Sequence, residues 1–254
     1  AALLLGVISG NDSFDATSFD LPVSAYDEHL DENEILRVGV PEDYFGEGLD
    51  SEVRASIEAA IELLRGEGHE IVPVSMPHTE YAVPTYYIIA CAEASANLAR
   101  YDGVRYGYRS PDAKSMKDMY VMSRTESLGH EVKQRIMLGT YVLSSGYYDA
   151  YYLKAQKVRR LISNDFVSAF EKCDVIVGPV APTAAYKIGE KTDDPLAMYL
   201  GDIYSVMANL TGMPAISIPC GKTEDGRPIG IQFTGPATEE QRVLNLAASL
   251  EKVL

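Results

Sequence analysis

The sequence predicts an α/β fold with a mixed, largely parallel central sheet, and three observations carry that prediction. Asp174-Val175-Ile176-Val177 is a short, mostly β-branched run stopped by Gly178 and Pro179, the pattern of a strand covered on both faces. Residues 36–74 read as strand, helix, strand, a unit that sets its two strands parallel. Beyond residue 212, the segments MPAISIPCG and GRPIGIQFTG flank Asp225-Gly226, a hairpin signal that adds antiparallel pairing.

Taken in order, the chain opens on AALLLGVISG, which has neither a starting Met nor a basic leader region and reads as the end of a helix. A helix normally begins with a cap and a polar first turn, and this one begins on its apolar face. The expectation is therefore that residues 1–254 are the carboxyl-terminal part of a longer protein. Residues 10–35 are acidic and rich in turn formers, hence a surface connection. Leu36 to Pro41 is a strand signal, and the helix after it carries Val53, Ile57, Ile61 and Leu64 on one face, with Asp50 or Ser51 as its cap and Gly66 at its end. His69 to Val74 completes the unit as a strand at an edge or bulge, because Pro73 has no N–H for the ladder. From 81 to 148 tyrosine, alanine and serine rise and β-branched runs vanish, which predicts a run of helical segments. A long helix from about Asp149 to Glu171 places Val158, Ile162, Phe166 and Ala169 together and leads into the strand at 174. Another helix ends at Asn209-Leu210-Thr211-Gly212. After the last strand, Ile229 to Phe233, Thr238 and Gln241 form a capping-box pattern ahead of a helix bearing Val243, Leu246, Ala247 and Leu250.

Composition sets the outer bounds. The chain has 254 residues, 46% hydrophobic and 23% charged, enough for an ordinary core in one large or two small domains. A formal net charge of -15 argues against a broad phosphate-binding surface on this chain, so contact with nucleic acid would fall to another subunit. No apolar run approaches the roughly 20 residues of a membrane-spanning helix. Cys91, Cys173 and Cys220 are odd in number, without CxxC spacing and in apolar settings, which favours reduced thiols and a cytoplasmic location over a disulfide framework.

Common catalytic signatures are missing. No GxSxG, HExxH or GxGxxG motif occurs, and His29, His69, His78 and His130 lack ligand spacing, so no metal is expected. Gly221-Lys222-Thr223 imitates the end of a phosphate loop, but Ile216 stands where its first glycine is required.

The blocks DVIVGPVAPT, NLTGMPAISIPCG and GRPIGIQ resemble the amidase signature family. Within it, ARYDGVRYGYRS (99–110), the long block at 122–162 and DDPLAMYLGDIYSVMANLTG (193–212) are similar to the glutaminase subunits of tRNA-dependent amidotransferases. The likeness runs along the whole chain. It implies an amidase-signature α/β/α sandwich, of which 1–254 is the carboxyl-terminal part of a single domain with a mostly helical insert at about 81–148. It also implies a nucleophilic serine activated through a second serine and a lysine, in a glycine- and serine-rich stretch. No such stretch occurs between Ala1 and Leu254, so no catalytic residue is expected here and the chain alone is expected to be inactive.

What the resemblance leaves in this chain is substrate binding. It implies that Arg135 binds the α-carboxylate of glutamine, that Asp202 takes the α-ammonium and that Tyr86 lines the pocket. It implies further that two partners, the B and C subunits, join the complex. Ammonia would pass to the B subunit, where ATP and Mg²⁺ serve the amidation of glutamyl-tRNA, and tRNA would be reached only through that partner. The chain itself would hold no cofactor. Each residue has a plainer alternative: a solvated helix charge for Arg135, a helix N-cap for Asp202, a core aromatic for Tyr86. For the whole chain the alternatives are a stand-alone amidase acting on other amides and a noncatalytic interaction module.

Overall fold

The computed structural model describes residues 1–30, 34–190 and 195–254. Residues 31–33 of the surface connection and the first two residues of the 193–212 block lie outside the described residues. In chain order the elements are α1 (Ala2–Ile8), β1 (Arg37–Pro41), α2 (Ser51–Gly66), β2 (Glu70–Val74), α3 (Ala82–Leu98), α4 (Met116–Ser127), α5 (His130–Val142), α6 (Lys154–Phe170), β3 (Val175–Pro179), α7 (Pro195–Leu200), α8 (Ser205–Thr211), β4 (Ala215–Lys222), β5 (Pro228–Thr234) and α9 (Glu240–Val253). They divide into two compact units, one of Ala1–Glu80 with Ile162–Leu254 and one of Tyr81–Leu161.

The first unit is built on a five-stranded sheet in the order β2-β1-β3-β5-β4. β1 pairs in parallel with β2 and β3, whereas β5 is antiparallel to both β3 and β4. Four strands therefore point one way and β5 alone is reversed, which makes the sheet mixed and largely parallel. β3 sits at its centre and is buried along its whole length, as a continuous apolar run requires. β2 lies at one edge, where the missing N–H of Pro73 opens no gap in a ladder.

One face of the sheet is covered by α2 and α9. Val53, Ile57, Ile61 and Leu64 from α2 and Val243, Leu246 and Leu250 from α9 close over Val38, Val175, Val177, Ile231 and Phe233 in one core. Both helices present apolar residues at three- and four-residue steps, the spacing that lines up one face of a helix. The α2 start is fixed by Asp50, whose carboxylate accepts from the backbone N–H of Glu52 at 2.9 Å and of Val53 at 3.3 Å. Gly212 ends α8 with φ 74°, the left-handed conformation that spares glycine the Cβ clash.

Two local readings are corrected. The start of α9 has no capping box: Glu239 holds the N-cap position without a side-chain bond, and Thr238 has φ 67°. That left-handed turn sends the Thr238 hydroxyl back to the Ala237 carbonyl, while the Gln241 amide donates to the Tyr26 carbonyl at 3.1 Å. The long helix before β3 begins as a wide π-turn, Tyr148–Leu153, and becomes α-helical only at Lys154.

In the second unit α3 and α5 pack so closely that a Cβ on Gly139 would overlap the carbonyl of Cys91. Ser95 and Thr140 share a hydroxyl hydrogen bond of 2.9 Å at the same contact.

Candidate functional site

The three thiols are poor nucleophiles. Burial raises the Cys91 thiol and pushes those of Cys173 and Cys220 up to about 11, so all three remain protonated near neutrality. His78 Nδ1 faces both oxygens of Asp165 at 2.9 and 3.0 Å, and its backbone N–H donates to the same carboxylate at 3.0 Å. This pair ties the exit of β2 to α6, and the adjacent Thr79 hydroxyl is given to the Met76 carbonyl at 2.7 Å. His69 Nδ1 accepts the Leu36 backbone N–H at 3.2 Å, and burial lowers its pKa. Among the described residues no three His, Cys, Asp or Glu side chains gather as metal ligands would.

The loop beyond β3, where ligands collect in open α/β sheets, borders a cavity of about 320 Å³. Its lining includes Val180, Ala181, Thr183, Ser217, Pro219 and Gly230, with no ionisable side chain. The loop is anchored by its backbone: the Pro182 carbonyl accepts from Asp50 N–H at 2.9 Å, and the Ala185 carbonyl from Arg227 at 2.7 Å. These walls shape space and supply two hydroxyls, but no side chain that titrates near neutral pH.

Charge and aromatic surface meet in the second unit. Tyr86 and Tyr87 follow each other on α3, both half-buried, with ring centroids 5.3 Å apart and planes at 88°. Arg135 reaches across from α5 so that its guanidinium carbon stands 5.5 Å from the centre of the Tyr87 ring. Its Nε donates to Glu131 Oε1 at 2.9 Å, and that bond raises the Arg135 pKa further. The contact of Arg135 is thus with Tyr87, and Tyr86 is the next ring along α3. From sequence, Tyr87 stood only as the neighbour that made the choice of ring at Tyr86 ambiguous, and Glu131 was missed; the four-residue step from 131 to 135 was the one available signal for Glu131.

Asp202 belongs to the first unit, in the turn between α7 and α8, and is half-buried. Its carbonyl accepts from Val206 N–H at 3.0 Å and from the Ser205 hydroxyl at 3.1 Å. The N-cap of α8 is Tyr204, which makes no side-chain cap bond. The turn is pinned from below by Tyr204, whose hydroxyl donates to the Tyr44 carbonyl at 2.9 Å and whose ring lies 5.2 Å from that of Tyr44. Gln232 on β5 reaches the Tyr204 carbonyl at 3.4 Å. Gly178 makes room for this pair, since a Cβ there would stand 2.6 Å from the Tyr44 ring. Tyr44 and Tyr204 were also missed by sequence reasoning, which had no local signal joining residues 160 positions apart.

The family model described as Amidase matches residues 1–244. The A subunit of glutamyl-tRNA(Gln) amidotransferase from Acidobacterium capsulatum is 58% identical over 254 residues, covering 100% of this chain and 53% of the relative. Its counterpart from Koribacter versatilis is 55% identical over 255 residues, covering 100% of this chain and 53% of the relative. The crystal structure of the Thermotoga maritima counterpart superposes with a TM-score of 0.74 at 36% identity, covering 99% of this chain and 50% of that one. The chain thus spans about half the length of the curated relatives it matches.

Proposed function

Since the chain belongs to the amidase family, we propose that it forms the substrate-holding wall of the glutaminase subunit of a tRNA-dependent amidotransferase. In the whole enzyme glutamine reacts with water, the C–N bond of its carboxamide breaks, and glutamate and ammonia leave. The B subunit uses ATP and Mg²⁺ to activate the carboxylate of glutamyl-tRNA(Gln), and the ammonia amidates it. The C subunit completes the assembly. The net charge of -15 fits a role in which tRNA is contacted by the partner.

In this reading the chain's residues bind and orient. Glutamine carries an ammonium and a carboxylate on one carbon, and holding both fixes the direction in which its carboxamide projects. Arg135 takes the carboxylate, Asp202 the ammonium, and Tyr86 lines the pocket. Such fixation raises rate by presenting the amide at attack distance to a nucleophile already in place. That nucleophile, a serine activated by a second serine and a lysine, belongs to the portion of the family's length outside these 254 residues, and the chain alone does not turn glutamine over.

The observation that carries the reading is the seating of Arg135, held over an aromatic ring with its fork not buried in an ion-pair network. Arginine matches a carboxylate with two parallel N–H donors, and a stand-alone amidase acting on uncharged amides has no use for that grip. Arg135→Ala in the assembled enzyme is expected to reduce kcat/KM for glutamine by about 10²-fold, the scale of losing hydrogen bonds to a charged group. An unchanged kcat/KM would favour the stand-alone amidase.

A further inference from the structure

The α3–α5 pair does more than carry Arg135. Three contacts run in the same order along both helices: Tyr87 with Arg135, Cys91 with Gly139, and Ser95 with Thr140. The two helices therefore run in the same direction, and the backbone contact at Gly139 prevents either from sliding past the other. One turn before that contact the guanidinium of Arg135 is held on two sides. Its central carbon stands over the Tyr87 ring, 5.5 Å from the ring centre, and its Nε–H donates to Glu131 at 2.9 Å. Tyr87 is in turn met edge-on by Tyr86 at 5.3 Å. Among the described residues neither terminal nitrogen of Arg135 donates a hydrogen bond, so both remain for a ligand.

A guanidinium can meet a carboxylate side-on, through Nε and one terminal nitrogen, or end-on, through the two terminal nitrogens. With Nε committed to Glu131, only the end-on approach is left. We propose that Glu131 and Tyr87 are positioning residues for the substrate carboxylate, fixing Arg135 so that its two terminal nitrogens are the ones that meet the carboxylate and the enzyme selects substrates with a free α-carboxylate. This rests on the reading of Arg135 as the carboxylate ligand. A surface pair at four-residue spacing with no part in recognition would contribute to helix stability and leave substrate preference alone.

The test is steady-state kinetics of the assembled amidotransferase with L-glutamine and with L-glutaminamide, which carries an amide in place of the α-carboxylate. Glu131→Ala and Tyr87→Leu are expected to raise KM for glutamine about tenfold, with kcat nearly unchanged. The same substitutions leave the glutaminamide constants where they were, which also shows that the fold is intact. Glu131→Gln and Tyr87→Phe keep the acceptor and the ring and behave as the parent. Placed on Arg135→Ala, neither Glu131→Ala nor Tyr87→Leu has a further effect. If Arg135→Ala narrows the preference for glutamine while Glu131→Ala and Tyr87→Leu do not, or if they affect both substrates equally, the positioning role is overturned. If Arg135→Ala itself leaves the preference unchanged, the carboxylate assignment fails and the proposal falls with it.

Discussion

Asp174 joins two strands through a single carboxylate. It accepts the backbone N–H of Arg37 at 2.8 Å and meets the Arg37 guanidinium at 2.7 and 3.3 Å, while its own N–H donates to the Arg37 carbonyl at 2.8 Å. Bonding to Arg37 holds the Asp174 carboxyl below its ordinary range, against the opposing effect of burial. A carboxylate with a depressed folded pKa stabilises fully above its unfolded value of about 3.9, and that contribution is lost as pH falls through the folded value. Asp174→Asn is expected to lower stability at neutral pH by about 1 kcal/mol, a modest figure because Arg37 is 43% exposed. Melting curves between about pH 3 and pH 7 check it: the gap should be largest near neutrality and close on the acid side. Asp174 was legible as the first residue of a strand run, one position ahead of where β3 begins, but Arg37 stands 137 positions away, and so distant a partner leaves no trace in local sequence. The same contrast runs through the candidate site. Glu131 lies one helical turn from Arg135 and was open to reading, whereas Tyr87 meets Arg135 only because two helices touch.

Helices and strands were legible where one physical effect decided them. The run at 174–177 and the one-face spacing of Val53, Ile57, Ile61 and Leu64 are burial patterns, and the elements formed where burial demanded. Strand order was not legible, since β1 neighbours β3 across more than a hundred residues of intervening chain. The start of α9 was misread because a Thr and a Gln at capping-box spacing say nothing about the dihedral angles of the chain that enters the helix, and Thr238 enters left-handed. Gly139 was passed over for a related reason: a glycine within α5 weakens the helix on its own and makes sense only against Cys91. Gly139→Ala improves local helix propensity yet should destabilise by about 1–3 kcal/mol, because the added methyl forces α3 and α5 apart. Thermal unfolding gives the sign. Faster amide exchange in α3 and α5 than in the central sheet would locate the damage in the second unit.

The sheet of the first unit ends differently on its two sides. β2 closes one edge with Pro73 in its ladder, while β4 presents Ala215 and Ser217, both exposed, at the other. Among the described residues β4 has a strand neighbour on one side only, β5. Farther along, Pro219 and the irregular register between Pro219 and Gly221 spoil the outer rim, so the open donors and acceptors are concentrated over Ala215–Ile218. Such a rim accepts another strand as readily as the inner side accepted β5. A lysine there repels incoming copies, so Ser217→Lys is expected to slow the growth of light scattering in concentrated solutions of this chain severalfold while leaving its melting temperature nearly unchanged. An unaltered scattering rate would show that the rim takes no part. The charge of -15 keeps molecules apart at low ionic strength, and salt near 0.15 M shortens that repulsion to about 8 Å. On this expectation the half-life of the isolated chain in a storage buffer should follow concentration and ionic strength through one four-residue rim, and should respond little to how firmly Phe233 and its neighbours are packed in the interior.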